Sequence, residues 1–310
     1  KRGRIPLNGY RIQAHAPSAR KGRKTTIFAD NAMKWIFVGS ATVVSAIIFS
    51  IMLFLGLQGV RTFQDVSPVT FFFSTEWLPD DNRFGAFSFF FSTFALTLCS
   101  VLMAVPLALS GALFMAKIAP PWMRELMRPA TDVFVGIPSV VYGFIGLTVV
   151  VPFLAKRTGT IGYGIMPAAI ILAVMILPTV LSVAEDAIRS MPRKLEDASY
   201  ALGATRWQTI WRVVLPAAAP GIWTGVVLGM GRAIGETMAV FMVIGNSPQF
   251  PKSLLDSTTV LTTAIVKDMP HTFYGTTWNN ALYLMGLCLL LISLSLILLI
   301  RVVSRRGERL

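Results

Sequence analysis

Residues 35–60 read WIFVGSATVVSAIIFSIMLFLGLQGV, a run without one charged side chain. About 20 consecutive apolar residues are enough to carry a helix across a bilayer. The run is too long for a cleaved signal segment and lacks a cleavage-type end, so it reads as a retained first span. A chain that starts on Lys1 is expected to have lost or processed its first residues. Comparable runs follow at 84–116, 133–155, 158–184, 213–251 and 269–300, the fifth interrupted only by Arg232 and Glu236. A soluble protein has no reason to keep six.

The composition agrees. Of 310 residues, 54% are hydrophobic and 14% charged, against about 25% charged in a typical soluble domain. Mean hydropathy is +0.65. Disorder, a coiled coil and a disulfide scaffold are excluded. Cys99 and Cys288 lie inside apolar runs and read as small buried hydrophobes. Two histidines without ligand-type spacing give no metal site.

The net charge of +13 fits either a nucleic-acid patch or a membrane protein with its basic residues on one side. Position decides. Six spans put both termini on one side, which then holds 21 basic and 8 acidic residues; the other side holds 6 of each. Lys and Arg in short loops stay in the cytoplasm, so both termini are expected inside. The expected architecture is all-α and polytopic, with spans at 34–58, 86–115, 131–155, 163–187, 218–245 and 276–300. A basic tail (1–32) precedes a permease domain (33–302), with a coupling loop at 188–216 and a short tail at 303–310. The tail reads as a solvated segment near the anionic inner leaflet, or more sharply as a regulatory contact.

The longest internal loop on the basic side ends RSMPRKLEDASYALGATRWQTIWRVVLP (189–216). Pro192 opens a short helix, Gly203 ends it, and Thr205 is placed to cap a second. Trp207 and Trp211 suit an amphipathic loop lying on headgroups. No G-x-x-x-x-G-K-[ST] occurs, nor even a Gly-Lys pair, so any ATP must be bound by another chain.

Arg232 falls near the centre of the fifth run. An arginine there costs about 2.5–3.5 kcal/mol on the insertion scale and cannot face lipid cheaply. At 100° per residue, Gly221, Gly225, Gly229, Glu236, Ala239, Val243 and Asn246 fall within roughly 60° of it. Glycines four apart admit a close helix neighbour. The bland reading is mutual neutralisation of Arg232 and Glu236 at i, i+4; the functional one is a site within the membrane. Gly136, Pro138, Gly143 and Gly146 suggest close packing around span three. Asp132 is expected at the start of that span, favoured by the helix dipole, and Pro106 and Pro178 are expected to kink spans two and four.

Four stretches carry a family resemblance. Glu196-Asp197-Ala198, Gly203 seven residues after the Glu, and Val213-x-Leu215-Pro216 resemble the EAA loop of bacterial ABC-importer permeases, departing from it at Asp197 and Val213. GRAIGETMAV (231–240) with Gly245-Asn246 resembles the phosphate-specific importer permeases, and Met-Ala-Val after Gly-Glu-Thr is similar to the PstC type. IPSVVYGFIGL (137–147), and the outside loop through Trp77-Leu-Pro79 and Phe84-Gly85, resemble them too. The resemblance implies a type I ABC-importer permease fold in the bacterial inner membrane, forming half of a phosphate path beside a PstA-type paralogue. It implies two ATPase subunits that bind ATP and Mg, an extracytoplasmic phosphate-binding protein, no cofactor in this chain, no catalytic or nucleic-acid-binding role, and no metal site.

The resemblance places coupling at Glu196, Asp197, Ala198, Gly203, Leu215 and Pro216. The substrate path falls to Arg232, Glu236, Thr237 and Asn246. Close packing is expected of Gly221, Gly225, Gly229, Gly136 and Gly143. A guanidinium offers paired donors to phosphate oxygens. Glu236 would hold Arg232 or accept a bond from a protonated phosphate oxygen, a donor that sulfate lacks. The alternatives are a sulfate or molybdate permease, a proton-coupled secondary transporter, and a membrane scaffold or sensor.

Overall fold

A computed structural model describes residues 22–307, with side chains from 33 to 299. Most of the basic N-terminal tail and the last three residues lie outside the described residues, as do both expectations for the tail. Residues 1–53 and 54–310 form two compact units. Of the first, the described part is the leading stretch of the helix Gly22–Val60, with side chains exposed from Met33 to Ser50. Beyond Lys34 its exposed side chains are apolar or small hydroxyls, and Ser40 and Thr42 donate to their own helix at 2.9 and 2.8 Å, as a lipid-facing helix requires.

Among the described residues six helices are long and apolar enough to cross a membrane: Met33–Gln64, Phe87–Ile118, Ser139–Thr158, Ile165–Arg189, Arg206–Gly235 and Thr277–Leu299. Span four is the hub, the most buried of the six, and packs along both span two and span five. Span two presents it a face of small side chains, with Ser100, Ala104, Ala108 and Ala112 all buried. The hydroxyls on this face are satisfied within their own helix: Thr93, Thr97 and Ser100 each donate to the carbonyl four residues back, at 2.7 Å. Pro106 and Pro178 sit inside helices that run on past them.

Span five meets span four through its glycine stripe. A Cβ on Gly221 would lie 2.4 Å from the Ala187 methyl, one on Gly225 3.1 Å from Val183 Cβ, and one on Gly229 2.7 Å from a Val180 methyl. No side chain fits in those gaps, so the backbones approach as only glycine allows. Gly143 plays the same part against Ala239 and Met242, and Gly146 against Val243 and Ile171. Gly136 does not within this chain; nothing lies within 4 Å of a Cβ built there.

Three boundaries differ from the sequence reading. The third span starts at Ser139, not 131, because a separate helix, Pro121–Gly136, precedes it. Pro138 disfavours helical backbone at the residue before it, and Ile137 is extended at φ −67°, ψ 129°. Asp132 therefore lies within the preceding helix rather than at the start of the span. The fifth span starts at Arg206, not 218, since the helix after Thr205 runs through Leu215 and Pro216 into the membrane. It also ends at Gly235 rather than 245, and a short helix, Met238–Val243, follows a break.

Between spans one and two, Trp77–Leu78 pairs antiparallel with Arg83–Phe84. Trp77 packs edge-on against Phe84 and Phe89, and its indole N–H donates to Asp268 Oδ2 at 2.9 Å. This segment is a folded cap with Trp77 buried in it.

The glycine gaps make a clean comparison. Gly221→Ala is expected to cost about 1–3 kcal/mol through overpacking, seen as a lower thermal midpoint in detergent. Gly231→Ala, with open space at its Cβ, is expected to leave the midpoint unchanged or raise it.

Candidate translocation path and coupling site

The helix break in span five decides the geometry of the charged pair. Gly235 is the last helical residue; Glu236 is extended at φ −71°, ψ 129°, and Thr237 follows at φ −116°, ψ −59°. The Glu236 carboxylate turns forward, its Oε1 accepting the Ala239 N–H at 3.2 Å. A side chain that offers the backbone a local partner competes with the helix ladder. The freed Glu236 carbonyl accepts the Thr262 hydroxyl at 3.1 Å. Irregular backbone at this depth survives only where protein or a polar cavity meets its groups, and here protein does.

Consequently Arg232 and Glu236 do not pair. No carboxylate oxygen among the described residues lies within 4.0 Å of the Arg232 guanidinium. Mutual neutralisation, and Glu236 as a holder of Arg232, are both overturned. The partner of Arg232 is Thr179 on span four, whose Oγ1 accepts from Nη1 at 3.3 Å. Arg232, Glu236 and Thr237 are each half-buried. The single helical stripe running from Gly221 to Asn246 therefore stops at Arg232.

Asn246 has a backbone task. At φ 55° it closes the turn after the short helix, its Nδ2 donating to the Phe241 carbonyl at 2.8 Å and its own carbonyl accepting Lys267 Nζ at 3.0 Å. Its Oδ1 is buried without a partner. Gly245, at φ +93°, leaves room for Ser257; a Cβ there would lie 2.0 Å from the serine hydroxyl. The chain beyond folds back onto span two, where Ser92 and Thr258 share a 2.9 Å hydrogen bond and Thr93 accepts the Leu261 N–H at 3.0 Å.

Between spans four and five, the helix Arg193–Ala201 starts after Pro192, and Gly203 turns the chain at φ +81°. Thr205 and Gln208 then form a reciprocal capping box at 3.3 and 2.9 Å. Glu196 is paired with Lys117 at the end of span two, both side chains largely buried. Ser199 and Thr209 share a 3.0 Å hydrogen bond that ties the short helix to span five. Asp197 and Ala198 stay exposed beside Leu195 and Leu202. Trp207 and Trp211 meet edge-on at 5.5 Å and are themselves exposed. Behind them, Glu185 is buried and binds Arg189 Nε at 3.0 Å and Arg128 at 3.5 Å. Leu215 and Pro216 lie within the span-five helix rather than in a loop.

Thr179, Thr262, Lys117 and Glu185 were not singled out from the sequence. A threonine in an apolar run carries no signal of its own; only the need to find a partner for Arg232 points to Thr179.

The chain matches the model for the binding-protein-dependent transport system inner membrane component over residues 104–309. It belongs to that family. It is 49% identical over 281 residues to the Probable ABC transporter permease protein YqgH of Bacillus subtilis, covering 89% of this chain and 91% of the relative. It is 34% identical over 273 residues to the Phosphate transport system permease protein PstC of Xylella fastidiosa, covering 82% and 84%. Among solved structures, a subunit of the bacterial alginate ABC transporter overlays with a TM-score of 0.60 at 19% identity, over 90% of this chain and 97% of that one. A MetNI methionine transporter chain does so at 0.52 and 22%, over 69% and 93%. The chain is thus an ABC transporter permease subunit, multi-pass in the membrane, with the fold of such permeases.

The Lys117–Glu196 pair is expected to hold the short helix in place. Lys117→Met should expose the Arg193 and Lys194 bonds to trypsin about 5-fold faster, as loss of roughly 1 kcal/mol of local stability implies; unchanged cleavage would remove the pair from that role.

Proposed function

We propose that this chain is the permease subunit of an ATP-driven inorganic phosphate importer, and that Arg232 receives the anion near the middle of the membrane. The observation that carries the reading is the half-buried guanidinium of Arg232, held by Thr179 and opposed by no carboxylate. A cation in low dielectric without a counter-charge is a receptor for an anion. Its planar fork matches two oxygens of one phosphate. The likeness to PstC proteins supports phosphate among the oxyanions. The broken end of span five is compatible with it as well: Glu236 gives only its Oε1 to the Ala239 N–H, which leaves the other carboxylate oxygen as an acceptor. Such an acceptor favours an anion that still carries a proton. Thr237 follows Glu236, its hydroxyl turned back to the Gly235 carbonyl at 3.3 Å.

In this reading the basic side is cytoplasmic, and a PstA-type paralogue supplies the other half of the path. Two ATPase subunits bind ATP and Mg and seat the Arg193–Ala201 helix, and a phosphate-binding protein delivers from outside. The chain itself does no covalent chemistry. Closure of the ATPases moves the short helix, and the tie between Ser199 and Thr209 passes that movement to span five.

The test is phosphate-stimulated ATPase activity of the reconstituted complex with its loaded binding protein, sulfate being the control. Arg232→Gln is expected to lower phosphate stimulation at least 100-fold, since each lost charge-assisted bond is worth about 1.5–3 kcal/mol. Arg232→Lys should restore part of it. Glu236→Gln with phosphate transport and assembly both intact would remove the proton-reading role. Equal stimulation by sulfate would reassign the complex to another oxyanion.

A further inference from the structure

At the root of the short helix Arg193–Ala201 lies a polar cavity of about 490 Å³. Four cationic side chains line it, Lys117, Arg124, Arg189 and Arg193, against two acids, Glu196 and Asp197. The commitments of these groups are uneven. Lys117 is taken by Glu196, and Arg189 by Glu185. Arg124 reaches only the Ala116 carbonyl, through Nη2 at 3.4 Å, and its Nε is buried with no acceptor. Arg193 joins no ion pair among the described residues. Two guanidinium groups thus line one cavity with donors to spare, and a buried donor left unmade carries the full desolvation cost of that group.

We propose that this cavity binds a phosphate-type oxyanion, Arg124 and Arg193 supplying the donors and Lys117 the remaining charge. It is separate from the path at Arg232, and it rests on the reading above only in taking this side as cytoplasmic. An anion here competes with Glu196 for Lys117, the contact that ties the short helix to span two. Its occupancy therefore sets how firmly the short helix Arg193–Ala201 is held. The shared chemistry has two sources: free phosphate in the cytoplasm, which is the imported product, and the phosphodiester headgroup of an inner-leaflet lipid.

Binding of radiolabelled inorganic phosphate to the full chain, in phosphatidylcholine nanodiscs and in an Arg232→Gln background, tests the first source. Retention of phosphatidylglycerol, by native mass spectrometry of the chain extracted from mixed nanodiscs, tests the second. Arg124→Gln/Arg193→Gln is expected to weaken phosphate binding at least tenfold, or to lose the retained lipid, with Arg124→Lys/Arg193→Lys recovering part of either. Loss of phosphate binding assigns the site to free phosphate; loss of lipid alone assigns it to the headgroup. If the paired glutamines change neither, or if the lysine variant behaves as the glutamine one, the proposal is overturned. Failure of the phosphate-import reading would look different: Arg232 variants would leave transport unchanged while the effect of the paired arginines persisted.

Discussion

A guanidinium that is charged at every physiological pH must be kept off lipid, and Arg232 imposes that on the middle of the molecule. The fold meets it with close packing and with an interruption. Three glycines bring span five against span four so tightly that Thr179 comes within reach of Arg232. One residue past Gly235 the helix stops, and Glu236, which one more turn of helix would have set beside Arg232, turns to the Ala239 N–H instead. The Thr262 hydroxyl then satisfies the Glu236 carbonyl that the break has freed. The cation stays uncompensated because the carboxylate is occupied elsewhere.

The same helix joins the two ends of the account. From Arg206 to Arg232 it runs without a break, about 40 Å at the standard rise. One end carries Trp207 and the hydrogen bond between Thr209 and Ser199; the other carries the guanidinium. Lys117 fastens the short helix to span two, so a pull on that helix acts on two neighbours of span four at once. A packed core of this kind shifts between discrete arrangements rather than bending smoothly, which suits a part that alternates access.

Much of this was legible in the sequence, for identifiable reasons. Length and the absence of charge reveal a bilayer span whatever its neighbours, so all six emerged. The glycine stripe at 221, 225 and 229 was readable because small residues four apart leave few other uses for a helix face. The turn at Gly203 and the cap at Thr205 depend on local chemistry and needed nothing tertiary. The break at Glu236 was not readable that way. GRAIGETMAV holds no proline, and its helical periodicity runs on past 236; what ends the helix there includes Thr262, a contact 26 residues distant. The start of the third span was misplaced because apolar side chains on Pro121–Gly136 continued the run, although Pro138 marked the boundary.

The most direct test is a side-chain-resolution cryo-electron microscopy map of the assembled complex, recorded without phosphate and with it. The account predicts that the empty map shows Arg232 beside Thr179 and apart from Glu236. It predicts that the loaded map shows a phosphate on the Arg232 guanidinium. An Arg232–Glu236 ion pair in the empty complex, or a bound phosphate that does not touch Arg232, would contradict it.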